Sequence, residues 1–208
     1  KLKNIKHILN MNFVPNNINE IWLTDITEEK VENKKVYIST IYDTFDNYPI
    51  ACEVSIRNDS ELVERTLKIA TEKYNNVTPI FHSDRGSSYT REAFKEKLKE
   101  IGYVHSMSRV SRCIDNGPTE GFWGIIKSEM YYLKKYNSLE ELREDIIQYI
   151  YFYNYERLQE RFDDRTPMAV RIAALTAENV TQYPIKENKR IQKYYANLKF
   201  KQEQYPIA

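Results

Sequence analysis

Three acidic residues carry the chemistry this chain can do: Asp25 in Trp-Leu-Thr-Asp-Ile-Thr, Asp84 in Phe-His-Ser-Asp-Arg-Gly, and Glu120 in Gly-Pro-Thr-Glu-Gly-Phe-Trp-Gly. Thirty-five residues separate Asp84 from Glu120, and Lys127 follows seven positions after the glutamate. Three carboxylates brought to one point can hold two divalent cations roughly 3.5–4 Å apart, which clamps both oxygens of an in-line phosphoryl displacement. That chemistry points to nucleic-acid phosphodiesters. Hard oxygen ligands favour Mg²⁺ or Mn²⁺ over zinc.

Each acid has a bland alternative, because a carboxylate is most often solvated surface. Asp25 resists it, since an unpaired charge is costly inside so apolar a run. Asp84 stands at the end of a short apolar run, before the turn Arg85-Gly86-Ser87-Ser88. At about 100° per residue, Glu120, Gly124 and Lys127 share one helical face. Phe122, Ile125, Ile126 and Leu133 are expected on the opposite, core-facing side. Asp115, Glu129 and Asp43 are rival third carboxylates; Asp115 reads as a cap and Asp43 as a strand-end residue, while Glu129 points to the apolar side without an evident reason. His7, His82 and His105 lack zinc-ligand spacing, and Cys52 and Cys113 form no Cys-x-x-Cys pair.

The elements that must position these acids follow from pattern. Ile21–Thr27, Val36–Asp43 and Tyr48–Ile56 read as an antiparallel meander of three strands. A helix capped by Ser60 runs to about Tyr74. Val77–His82 reads as a fourth strand, Arg91–Glu100 as a helix and Tyr103–Met107 as a fifth strand. Further helices are expected from about Pro118, over Ser138–Tyr155 with Ser138 as its cap, and over Pro167–Thr176. The order β-β-β-α-β-α-β-α gives an α/β fold whose meander is extended by strand–helix units. Asp25 and Asp84 would then lie on neighbouring strands, with Glu120 reaching them from a helix.

With 208 residues, 41% of them apolar and 29% charged, the chain has material for one substantial domain. No run has the roughly 18 apolar residues of a membrane span. Two cysteines make no disulfide framework, and a reduced, cytoplasmic setting is the simpler reading. The net charge of +1 is low for a DNA-binding protein, so any basic surface must be local. The candidates are Arg109, Arg112 and Lys127 beside the acids, and the tail lysines Lys186, Lys189, Lys193, Lys199 and Lys201 with Arg190.

The stretches Trp22–Thr27, His82–Tyr89, Ser106–Ser108, Asp115–Glu129 and Tyr153–Arg157 followed by Thr166-Pro167 together resemble the catalytic domain of bacterial insertion-sequence transposases, in the retroviral-integrase superfamily. The resemblance implies an RNase H-like fold: a five-stranded mixed sheet, three antiparallel strands then two parallel, flanked by helices. It implies Asp25, Asp84 and Glu120 as catalytic residues and ligands of two Mg²⁺ or Mn²⁺ ions, and Lys127 as a contact to the DNA end. Asn154 and Arg157 match its Tyr-Asn-x-x-Arg element, for which a structural and a DNA-contacting role both stand. The expected activity is DNA cleavage and strand transfer by a homo-oligomer synapsing two element ends, in a bacterial cytoplasm and at the nucleoid when on DNA. The family's helix-turn-helix recognition region has no counterpart in these residues. Residues 1–20 are therefore read as a linker from it, 21–158 as the catalytic core, and 159–208 as a C-terminal helix and basic tail. A nuclease of the same fold that only hydrolyses, and a catalytically silent remnant that binds DNA, are the competing readings.

Overall fold

β1 is the strand around which the molecule is organised, and its alternation explains why. Trp22 and Ile26 join one apolar cluster while Leu23 joins another on the other face, so the strand is covered on both sides. The computed structural model describes residues 9, 13–108, 117–183 and 189–204. β1 (Ile21–Val31) pairs antiparallel with β2 (Lys34–Asp43), which pairs antiparallel with β3 (Tyr48–Ser55). On its other side β1 pairs in parallel with β4 (Ile80–Ser83), and β4 with β5 (Val104–Met107). The five-stranded sheet has the order β3-β2-β1-β4-β5.

The helices divide between the two faces. α1 (Ser60–Lys73), the short α2 (Ser87–Thr90) and α3 (Glu92–Glu100) supply Val63, Leu67, Ala70, Tyr89, Phe94 and Leu98 to the cluster that holds Trp22 and Phe81. α4 (Gly117–Glu129) and α5 (Leu139–Tyr155) cover the opposite face with Phe122, Trp123, Ile126, Leu142, Ile146 and Tyr153 against Val36, Ile38 and Tyr42. Each fully buried Leu, Ile or Phe contributes about 1.5–3 kcal/mol relative to exposure, so each layer is held by many such terms. α6 (Pro167–Thr176) begins with proline in its first turn and has Thr166 Oγ1 accepting from the Ala169 N–H. α7 (Lys189–Gln204) carries the tail, and its Tyr194 packs against the cluster of Leu9, Phe13, Ile21 and Leu23. Among the described residues no helix is long and apolar enough to cross a membrane.

Local chemistry moves several boundaries from their expected places. Asp59, not Ser60, caps α1, accepting from the Leu62 N–H at 3.1 Å. β4 starts at Ile80 because Pro79 lacks the N–H a ladder requires. α2 was not anticipated; Ser87–Thr90 is too short to show a period. Leu133 does not face the core: the helix stops at Glu129, and a 3₁₀ turn over Tyr131–Leu133 leaves that side chain 73% exposed.

Candidate active site

The last paired residues of β1 and β4 are Thr24 and Ser83, so Asp25 and Asp84 are the next residues on adjacent parallel strands. β1 continues to Val31 along β2, with Asp25 opposite Thr40, while β4 ends at Ser83. The sheet therefore forks at the two aspartates. This is also where the chain, having built β2 and β3 to one side, returns on the other, the switch point at which open sheets form crevices.

Asp25 is half-buried on the α4 side, and its carboxyl is pushed up to about 7. Burial is the largest cause, and the charge on Asp84 the next; the Ile26 backbone and the Trp123 side chain oppose it by hydrogen bonding, and Glu120 adds repulsion. Trp123 Nε1 donates to Asp25 Oδ2 at 3.2 Å. That bond fixes the start of α4 over the fork, one turn from Glu120. Glu120 itself is exposed, and a Cβ built on Gly121 or Gly124 meets nothing within 4 Å, so this face of the helix is open.

Asp84 is held by its own turn. The Gly86 N–H donates to Asp84 Oδ1 at 2.8 Å, and a Cβ on Gly86 would lie 2.9 Å from the same oxygen. Arg85 Nε donates to the Ser108 carbonyl at 2.6 Å, and the Ser108 N–H donates to the Ser83 carbonyl at 3.0 Å. His82, buried, lies between two hydroxyls, with Nδ1 2.9 Å from Ser106 Oγ and Nε2 3.2 Å from Ser108 Oγ. These bonds tie the end of β5 to the Asp84 turn. Beneath both acids, the buried Tyr89 hydroxyl lies 3.1 Å from Thr24 Oγ1.

The basic candidates fall in different places. Lys127 Nζ is 2.7 Å from Glu29 Oε1, half-buried against β1 four residues beyond Asp25. Arg157 donates to Glu129 through Nε (2.8 Å) and Nη2 (2.6 Å), and Tyr149 donates to Glu129 Oε2 at 2.8 Å. Glu129, unexplained in the sequence, is thus the anchor that joins the end of α4 to α5, and Arg157, foremost, holds its carboxyl below the ordinary range. Asn154 is buried, its side-chain amide 3.5 Å from the Pro49 carbonyl. Arg109, Arg112 and the rival acid Asp115 lie outside the described residues, as does Lys186. Asp43, the other rival, belongs to a separate buried cluster. Arg171 Nη2 donates to Asp43 Oδ2 at 2.7 Å, and Arg171 Nε is ion-paired with Asp46 Oδ2 at 2.7 Å.

Trp123 and Arg171 had no expected role, and the Arg85-Gly86 turn was expected only as the turn that presents Asp84, without the Gly86 N–H and Arg85 bonds that hold it. A tryptophan three residues after the glutamate, a glycine two after the aspartate and an arginine inside an apolar helix were the available signals. Among the described residues, no group of three Asp, Glu, His or Cys side chains converges closely enough to hold a metal ion in this conformation.

A forked mixed sheet of this order, with acids at the fork and a third on the covering helix, defines the RNase H-like integrase class of fold. Its solved likenesses agree: a simian T-cell lymphotropic virus intasome chain (TM-score 0.67, 17% identical, covering 84% of this chain and 60% of that one), and the HTLV-2 integrase catalytic core domain in complex with magnesium (TM-score 0.61, 20% identical, covering 74% and 96%). Family models described as the integrase core domain match residues 15–113 and 120–175. An uncharacterized transposase-like protein of Haemophilus influenzae is 36% identical over 169 residues, which are 81% of this chain and 78% of that protein. A putative transposase for insertion sequence element IS150 of Escherichia coli is 36% identical over 166 residues, 79% of this chain and 59% of that protein. The chain belongs to the integrase core domain family, with the transposase catalytic domains of insertion sequences.

Proposed function

We propose that this chain cuts DNA at the ends of a mobile element and joins the freed 3′ ends to target DNA, using Asp25, Asp84 and Glu120 with two Mg²⁺ or Mn²⁺ ions. One observation carries the reading. The Asp25 carboxyl is held near a pKa of about 7 by burial and by the neighbouring Asp84, with Glu120 adding to the effect. The repulsion Asp25 meets from its neighbours is of the kind a cation relieves, so an all-carboxylate donor set of this type suits Mg²⁺ or Mn²⁺ once the three side chains close on the ions. When bound, the ions would supply electrophilic stabilisation of both the attacking and the leaving oxygen. The HTLV-2 core, of the same fold, was solved with magnesium.

The remaining roles belong to the chain's own groups. Asp84 is aimed by the Gly86 N–H and Asp25 by Trp123. Glu120, one turn from the Asp25 anchor, completes the set as the exposed member. Lys127 would hold a phosphate near the fork by exchanging its Glu29 partner for DNA, and Arg109 and Arg112 would contact the same backbone. Arg157 would act on DNA only while sharing its guanidinium with Glu129. The transposase relatives favour strand transfer over the purely hydrolytic or silent readings. A homo-oligomer, a helix-turn-helix region supplied by fusion or by another reading frame, and a bacterial cytoplasmic setting at the nucleoid complete the proposal. So do residues 1–20 as linker, 21–158 as core and 159–208 as C-terminal segment.

Labelled element-end DNA, metal and a recognition region supplied in trans test this directly. The expected result is nicked and joined product from the wild type and neither from Glu120→Gln. Nicks without joining would select the hydrolytic reading, and no metal-dependent product would overturn the proposal.

A further inference from the structure

We propose that Trp123 is a positioning residue: its indole N–H holds Asp25 in the orientation that receives a divalent cation, and ties the helix bearing Glu120 to the strand bearing Asp25. The inference rests on the reading of Asp25 as a metal ligand. A tryptophan N–H is a donor only, and a carboxylate offers about four lone-pair positions. The bond from Trp123 Nε1 to Oδ2 uses one of these and leaves both oxygens able to bind a cation.

The aim of that donor is fixed. The Trp123 side chain is 5% exposed and lies in the α4–α5 cluster, its ring centroid 5.3 Å from that of Phe122. A buried tryptophan needs an acceptor, but any carbonyl would satisfy that need. The acceptor here is instead the carboxylate of Asp25, at the fork between β1 and β4, so the bond sets which way that side chain faces. Spacing gives the second part of the role. Trp123 and Glu120 are three residues apart in α4 and share one side of a turn, so a rotation of α4 that withdraws Glu120 also pulls the indole from Asp25.

The test follows Mg²⁺ binding to wild type, Trp123→Phe and Asp25→Asn by calorimetry and by tryptophan emission. Wild-type emission is expected to change saturably, with the same midpoint as the heat, because a cation on Asp25 weakens the acceptor facing the indole. Trp123→Phe keeps an aromatic side chain in the cluster but loses the N–H together with the fused five-membered ring. It is expected to lose the emission change and to bind Mg²⁺ about tenfold more weakly. In strand joining its kcat falls while KM for DNA is unchanged, and its melting temperature drops by a few degrees from the smaller ring while the protein stays folded. Trp22, buried on the other face of β1, remains as an internal control. Wild-type affinity in Trp123→Phe would overturn the proposal. If that variant does not fold, wild-type emission that stays flat through the calorimetric transition overturns it equally. No binding heat even in wild type would instead sink the metal-site reading, and this inference with it.

Discussion

A methyl group on residue 86 would lie 2.9 Å from Asp84 Oδ1, closer than real Cβ atoms approach an oxygen. Gly86→Ala should therefore shift the Asp84 carboxylate rather than the fold. The expected outcome is Mg²⁺ affinity reduced about tenfold or more by calorimetry, with a melting temperature nearly unchanged. Asp25 yields a pH prediction. Its carboxyl titrates near 7 in the folded chain, against 3.8 as the ordinary value, so the folded state holds the extra proton between these limits. Stability then falls as pH rises from about 4 to 7, the opposite of a salt-bridged aspartate. Melting curves should show wild type losing several degrees relative to Asp25→Asn between pH 5 and 8, with Mg²⁺ closing the gap at pH 8. Asp46, also pushed up to about 7 by burial, titrates in both proteins and cancels in that difference. Asp25 was legible because a charge in an apolar run demands a partner. Gly86 was not, because its backbone is ordinary and only a distance in space reveals the constraint.

At the scale of elements, α6 is fastened by a charge cluster. Arg171 is 1% exposed, bridges Asp43 and Asp46, and lies over the Tyr48 ring at 4.4 Å. Arg171→Met leaves two buried carboxylates without their cation and should cost about 3–5 kcal/mol in denaturant melts. The loss should shrink toward pH 5, as protonation of Asp43 and Asp46 removes the uncompensated charge. Helices that announce themselves chemically were readable: Ser138 before α5 and Thr166-Pro167 before α6 satisfy or spare the first N–H groups, and both helices fall where expected. Features set by contact across the fold were not. Neither the Arg171 cluster nor the Arg157–Glu129 anchor follows from spacing, since their partners lie 128 and 28 residues away.

For the molecule as a whole, a net charge of +1 gives no long-range pull on DNA, so affinity must come from a few placed cations. Lys127→Ala should lower the slope of log affinity against log salt by about 1, and an unchanged slope would remove Lys127 from the DNA contacts. The order of strands and helices was legible because a meander followed by strand–helix units has few un-knotted closures. The fork between β1 and β4 was only half visible: the adjacency of the acids could be inferred, but not that β1 runs on along β2 after β4 has ended. That stretch has a consequence for exchange with solvent. Past Asp25, among the described residues, no strand pairs with the β1 main-chain groups on the β4 side. At Lys30 a single phenol stands in, with Tyr131 Oη accepting from the N–H at 3.0 Å and donating to the carbonyl at 2.6 Å. In deuterated buffer, then, the Lys30 amide should outlast that of Glu28, and β1 should record, amide by amide, where its sheet divides.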